Sequence, residues 1–257
     1  MFKIFNKRSF LVVFLLILLL TISAITAVAS GYETPEVSVQ FSFVYGNGFE
    51  FQPQALSVRA GTAFTYGIGS EATTAPTVLD AVAAAHKEKY GEAFTAETAG
   101  DYLSANMQKV FSRSGFAGHA INGAYSADLA NAAVLNNNDI VELFLYEDPS
   151  WLDYYTCLNQ KSLTVEAGEA FNLSLSGFMY INGYTTPPPA LEAIAGAAVG
   201  VVNPSDGTIS LLDGKVTDSS GQVALTFNEI GTYIVAATGN EPNSGARLIP
   251  AYCVLTV

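Results

Sequence analysis

The chain has 257 residues, with 23 Asp and Glu against 11 Lys and Arg and a formal charge of −12. Without clustered cations it lacks the means to hold a phosphate backbone, which argues against a nucleic-acid partner. Half of the residues are apolar and only 13% are charged, with 13 Tyr and 16 Phe, so the composition is that of a folded, β-rich protein and not of a disordered one.

Residues 10–29 form an uncharged apolar run behind Lys3, Lys7 and Arg8, closing on Ala27, Val28 and Ala29. Basic start, apolar stretch and small residues are the order of a secretory signal peptide. Cleavage is expected after Ala29. An uncleaved run of this length would instead anchor the chain, giving a membrane contact through this segment only. Either way residues 30–257 are expected outside the cell, secreted or at its surface, because the basic flank stays in the cytoplasm.

Val37, Val39, Phe41, Phe43 and Tyr45 alternate with polar or small residues, the period of a strand with one face on a core. Gly46-Asn47-Gly48 ends it, and a second extended piece is expected over 55–59. A loop rich in Gly, Ser and Thr follows. Thr77 with Asp80 three residues on is a capping-box pattern, and Leu79, Val82, Ala83 and His86 then share a face up to a C-cap at Gly91. A shorter helix is expected over 95–103, then strands over 110–111, 115–121 and 140–146, with Asn122-Gly123 as a tight turn.

Trp151 to Cys157 is an aromatic bridge, after which helix signals vanish. Strands are expected over 162–165, 170–175, 197–202, 209–212, 223–227, 233–237 and 251–257, separated by Gly- and Asp-rich turns. Phe178-Met179-Tyr180-Ile181, with Tyr184 and Pro187 to Pro189 beyond, reads as either a core strand or an exposed apolar surface. Cys157 and Cys253 form an even pair, and outside the cell such a pair is expected to oxidise. A disulfide closing that loop would contribute about 4 to 5 kcal/mol through chain entropy.

Thr77-Val78-Leu79-Asp80-Ala81-Val82, then Ile121-Asn122-Gly123, then Asn138-Asp139-Ile140-Val141-Glu142-Leu143-Phe144-Leu145-Tyr146, resembles a bacterial domain of unknown function related to the C-terminal β-grasp domain of transcobalamin and intrinsic factor. In that pattern a strand pair leads to a helix, a hairpin bears the Asn-Gly turn, and an Asp precedes the last strand. Where the commoner pattern carries Trp and Tyr before the Asn-Gly, this chain has Phe116-Ala117-Gly118-His119-Ala120. Thr217 to Val223 followed by Gly231-Thr232-Tyr233-Ile234-Val235-Ala236 resembles bacterial immunoglobulin-like repeats, with Tyr233 where a tyrosine corner would sit. The resemblances imply an α+β, β-grasp-like domain over 36–148, a linker over 149–160 and an all-β immunoglobulin-like sandwich over 161–257, behind the segment 1–29.

His86 and His119 are the only imidazole bases, and neither sits in a recognised catalytic frame. His86 falls on the apolar face of the helix, the place of a packed histidine. Glu142, Glu147, Asp148 and Asp153 could supply a glycosidase pair, but they read as strand and strand-exit residues. Asp206, Asp213 and Asp218 lie in turns, where Asp is common, and match no calcium loop. The chain is therefore read as a non-catalytic binding or adhesion module with no cofactor and no metal. Its partner would be an extracellular glycan, protein or small molecule, and the candidate contacts are Phe116, His119, Asn122 and Tyr125 on the hairpin. A corrinoid-type carrier is the alternative that the first resemblance implies, and a hydrolase built on His119 is the third.

Overall fold

The first sheet begins with a ten-residue strand, β1 (Glu36–Tyr45), which turns at Gly46-Asn47 into the longer β2 (Gly48–Arg59). These come from a computed structural model that describes residues 34–65, 72–91, 109–179 and 189–257. The leader, the helix expected over 95–103, and Tyr180, Ile181, Tyr184, Pro187 and Pro188 of the second apolar stretch lie outside the described residues. After one helical turn, α1 (Thr62–Thr65), comes α2 (Val78–Tyr90). Thr77 and Asp80 make the expected capping box, and Gly91 at φ 64° ends the helix. The short pair β3 (Lys109–Val110) and β4 (Arg113–Ser114) follows. Then come β5 (Phe116–Ile121), β6 (Ala124–Tyr125) and β7 (Ile140–Tyr146). The sheet order is β2-β1-β7-β5-β6, and the central pair β1 and β7 is parallel.

Residues 154–158 of the stretch expected as a linker form a strand. β8 (Tyr154–Leu158) lies inside a nine-stranded assembly with β9 (Ser162–Thr164), β10 (Ala170–Met179), β11 (Glu192–Ala193), β12 (Ala198–Val202), β13 (Ile209–Val216), β14 (Gln222–Thr226), β15 (Thr232–Asn240) and β16 (Arg247–Thr256). Its residues explain the difference. Tyr155 and Cys157 pack on one side and Tyr154 and Leu158 on the other, so the aromatic bridge is a strand covered on both faces. β10 changes partners midway, pairing β14 over Ala170–Ser174 and β8 over Leu175–Met179, which folds the assembly over on itself.

Among the described residues, strands dominate and three apolar cores form. The first lies between α2 and one face of the first sheet, around Phe41, Phe43, Val58, Val82 and Leu143. The second fills the curled assembly, around Leu173, Val199, Val235 and Leu255. The third joins the two sheets, with Val44, Phe49, Phe144 and Tyr146 meeting Tyr155, Phe178, Ile249 and Tyr252. Alternation builds this arrangement. On β7, Val141, Leu143 and Leu145 face the helix while Phe144 and Tyr146 face the joint, and on β16, Cys253 and Leu255 face the second core while Tyr252 and Val254 face the joint. Each such side chain contributes about 1.5 to 3 kcal/mol on full burial. From Pro35 to Val257 the chain is consequently one compact unit.

Cys157 and Cys253, expected to pair, are buried and unbonded in this structure. Cys157 packs in the joint and Cys253 in the second core. Burial pushes both thiols up, Cys253 to about 11, which leaves them protonated and unreactive in the fold.

Candidate functional site

The four hairpin residues singled out in the sequence are placed by the fold in packing and turn roles. Asn122 at φ 55° and Gly123 at φ 77° form the left-handed turn between β5 and β6. The Asn122 amide donates to Asp139 Oδ1 at 2.8 Å, and its oxygen accepts the Ile140 amide at 2.9 Å. Asp139 Oδ2 in turn accepts the Asn136 amide at 2.8 Å. The Asn-Gly and Asp signals therefore form one clamp that fixes the hairpin to the start of β7. Phe116 lies 4.7 Å from the Trp151 ring, and Tyr125 is 5.6 Å from both Tyr155 and Phe178. These aromatics belong to the joint.

His119 stands on the opposite face of β5 from Phe116, because the two are three residues apart on one strand. It is 4% exposed, and its Nε2 meets no hydrogen-bond partner among the described residues. Burial lowers its pKa to about 4, against the pull of Asp128. His86 is also lowered to about 4 by burial, with Lys89 adding to the effect, and packs 4.6 Å from Tyr90 and 4.9 Å from Phe111. Both histidines are thus neutral, enclosed rings at ordinary pH. The hairpin does not bring Phe116, His119, Asn122 and Tyr125 together on one open surface.

The carboxylates considered for acid and base chemistry are likewise engaged. Glu142 receives Lys161 at 2.7 Å, with both side chains nearly buried. Arg247 bonds Asp153 at 2.9 Å and lies 3.2 Å from Glu147, and it also donates to the Gly46 and Leu145 carbonyls. Asp206 and Asp218 accept from their own turns, through Thr208 and through Ser220 and Gln222. No group of three metal-ligating side chains occurs among the described residues.

An open groove of about 610 Å³ runs where the two sheets meet. One wall is Phe49 to Gln54 of β2, another is Glu88 and Lys89 at the end of α2, and the third is the turn Pro204-Ser205-Asp206. Backbone bonding holds these walls together. The Phe49 amide donates to the Gly207 carbonyl at 2.9 Å, and Gln52 Nε2 reaches the Asn203 and Pro204 carbonyls at 3.2 and 3.0 Å. Gly207 is required at φ 75°, where an added Cβ would lie 2.0 Å from the Phe49 carbonyl oxygen. On the groove floor Glu50 bonds Lys89 and Arg113, and Gln54 donates to Glu88 at 2.8 Å.

No protein-family model and no curated protein matches the chain. The groove is thus reached from geometry alone. Sequence reasoning missed it because its walls come from three distant segments, and Gln52 and Ser205 carry no motif. A weaker signal marked the joint: Glu142 is a charged residue inside the otherwise apolar run from Ile140 to Tyr146, a pattern that announces burial with a specific partner.

Proposed function

We propose that the chain is an exported, non-catalytic binding module in which a β-grasp-like unit and an immunoglobulin-like sandwich are fused side by side, with the groove across their seam as the ligand contact. The β-grasp reading is supported by the strand order β2-β1-β7-β5-β6, the parallel central pair, the helix after the first hairpin, and the clamp between Asn122 and Asp139. Supporting the sandwich reading, β10 pairs β14 on one side, β16, β15, β12 and β13 run in order on the other, and the Tyr233 hydroxyl donates to the Glu229 carbonyl at 3.0 Å. A tyrosine bonded back to the chain a few residues upstream, at the start of such a strand, is a tyrosine corner. Export rests on the leader sequence.

The observation that carries the binding reading is the groove itself. Its volume lies within the range of ligand sites, and its rim of Gln, Glu, Ser and Asp side chains suits hydroxyl-rich or peptide ligands better than an apolar one. A glycan or an extended peptide is the favoured ligand class. The aromatics near the hairpin are packed against Tyr155, Phe178 and Trp151, so they offer less support to a corrin face. The test is binding of residues 30–257 to glycan and peptide arrays, followed by Gln54→Ala with Glu88→Ala and by Ser205→Ala. Signals that fall at least tenfold in these variants support the reading, and signals unchanged in all of them refute the groove.

A further inference from the structure

The aromatic joint encloses a small polar patch. Ser42 and Glu142 are register partners on the parallel strands β1 and β7, so their side chains stand together on the face that carries Val44 and Phe144 into the joint. Tyr252 of β16 faces them from the other sheet. Ser42 and Tyr252 are fully buried and Glu142 is 5% exposed. Lys161 reaches in to bond Glu142 Oε1 at 2.7 Å and lies 5.5 Å above the Tyr252 ring. Burial first, and the Glu142 charge with it, raises the phenols of Tyr155 and Tyr252 and the Cys157 thiol, so all of these groups share one enclosed locus.

Three atoms there have no hydrogen-bond partner among the described residues: Ser42 Oγ, Glu142 Oε2 and the Tyr252 hydroxyl. Ser42 tempers the rise in the Tyr252 pKa as a hydrogen-bonding hydroxyl would, but by distance and angle neither oxygen has a partner among the described residues. Buried polar atoms in folded proteins are satisfied by protein or by ordered water. We propose that these three atoms bind a single internal water molecule that bridges the two sheets.

Charge and bonding capacity select this ligand. Glu142 and Lys161 neutralise each other, so an ion added beside them would bring uncompensated charge into an apolar enclosure. A neutral molecule meets no such cost. An ionised Glu142 Oε2 only accepts, so it takes one water proton, while the two hydroxyls can each give or accept. Three partners is the usual number for a buried water. The bridge deepens the proposed fusion of the two units, but it stands independently of any ligand in the groove.

A crystal structure of residues 30–257, at a resolution that shows ordered solvent, tests the site. The expected result is one density peak within about 3.2 Å of all three atoms, lost in a Tyr252→Phe structure. A direct bond between Ser42 and Tyr252 with no peak would overturn the proposal. A peak with the short contacts of a metal ion would overturn the choice of a neutral ligand. If Tyr252→Phe does not fold, the wild-type map decides alone, with Ser42→Ala as the second variant.

Discussion

Lys161 and Glu142 meet at 2.7 Å across the joint, with side chains 10% and 7% exposed. A pair so enclosed is weak evidence of net stability, but removing one member strands the other charge in an apolar setting. Glu142 stands between Val141 and Leu143 on β7, and Lys161 precedes β9, so the pair pins the two sheets in one register.

Lys161→Met is expected to destabilise the chain by about 3 to 5 kcal/mol, and Glu142→Leu by a similar amount. The double replacement should cost much less than the sum, because no orphaned charge remains. Urea unfolding of the four proteins measures this, and strict additivity would rule out the coupling.

Asn122→Ala removes two hydrogen bonds from the clamp and forces a Cβ-bearing residue without a local side-chain bond to hold φ 55°. A loss of about 2 to 4 kcal/mol is expected from the two contributions together. Asp139→Ala should act on the same clamp, so the double variant should be less than additive. Denaturant midpoints provide the measurement.

Acid should weaken the fold first through the histidines. His119 and His86 have folded pKa values near 4, below the ordinary 6.5, so the unfolded chain binds protons that the folded chain refuses. Stability is therefore fully retained above about pH 6.5 and declines as pH falls toward 4, by up to about 1.4 kcal/mol per pH unit for each group. Glu50 is also lowered, so its stabilisation is lost only as pH falls below the ordinary carboxylate value of 4.5. Unfolding at pH 7.5 and 5 isolates the histidines. His119→Leu should show a smaller difference between the two pH values than wild type, and an equal difference would contradict the assignment.

Thiol chemistry gives a direct count. The unreduced native protein should show no thiol reactive toward a disulfide reagent, and the denatured protein should show two, because Cys157 and Cys253 are free and buried. Two thiols only after added reductant would restore the disulfide expected from export.

The strands with strict alternation were legible in the sequence, as were the capping box at Thr77 and Asp80 and the tyrosine at the start of β15. Each is a local pattern with a local physical cause. The span of β8 was not legible, because Tyr-Tyr-Thr-Cys-Leu reads as an aromatic bridge until a sheet exists on each side of it. Of the hairpin residues read as ligand contacts, Asn122 sits in its turn and clamp, and Phe116 and Tyr125 pack in the joint. Lys161 and Tyr252 carried no signal at all. Their positions depend on two sheets meeting face to face, and no pattern within one strand encodes that meeting.

The joint is the feature on which the rest depends, and unfolding cooperativity tests it most directly. Trp151 packs on Phe116 beside the joint and reports tertiary structure by fluorescence, while far-ultraviolet circular dichroism reports the strands of both sheets. The two probes should trace one coincident transition for residues 30–257 in urea. Two separated transitions, one for each sheet, would contradict a fused unit and with it a groove built from both.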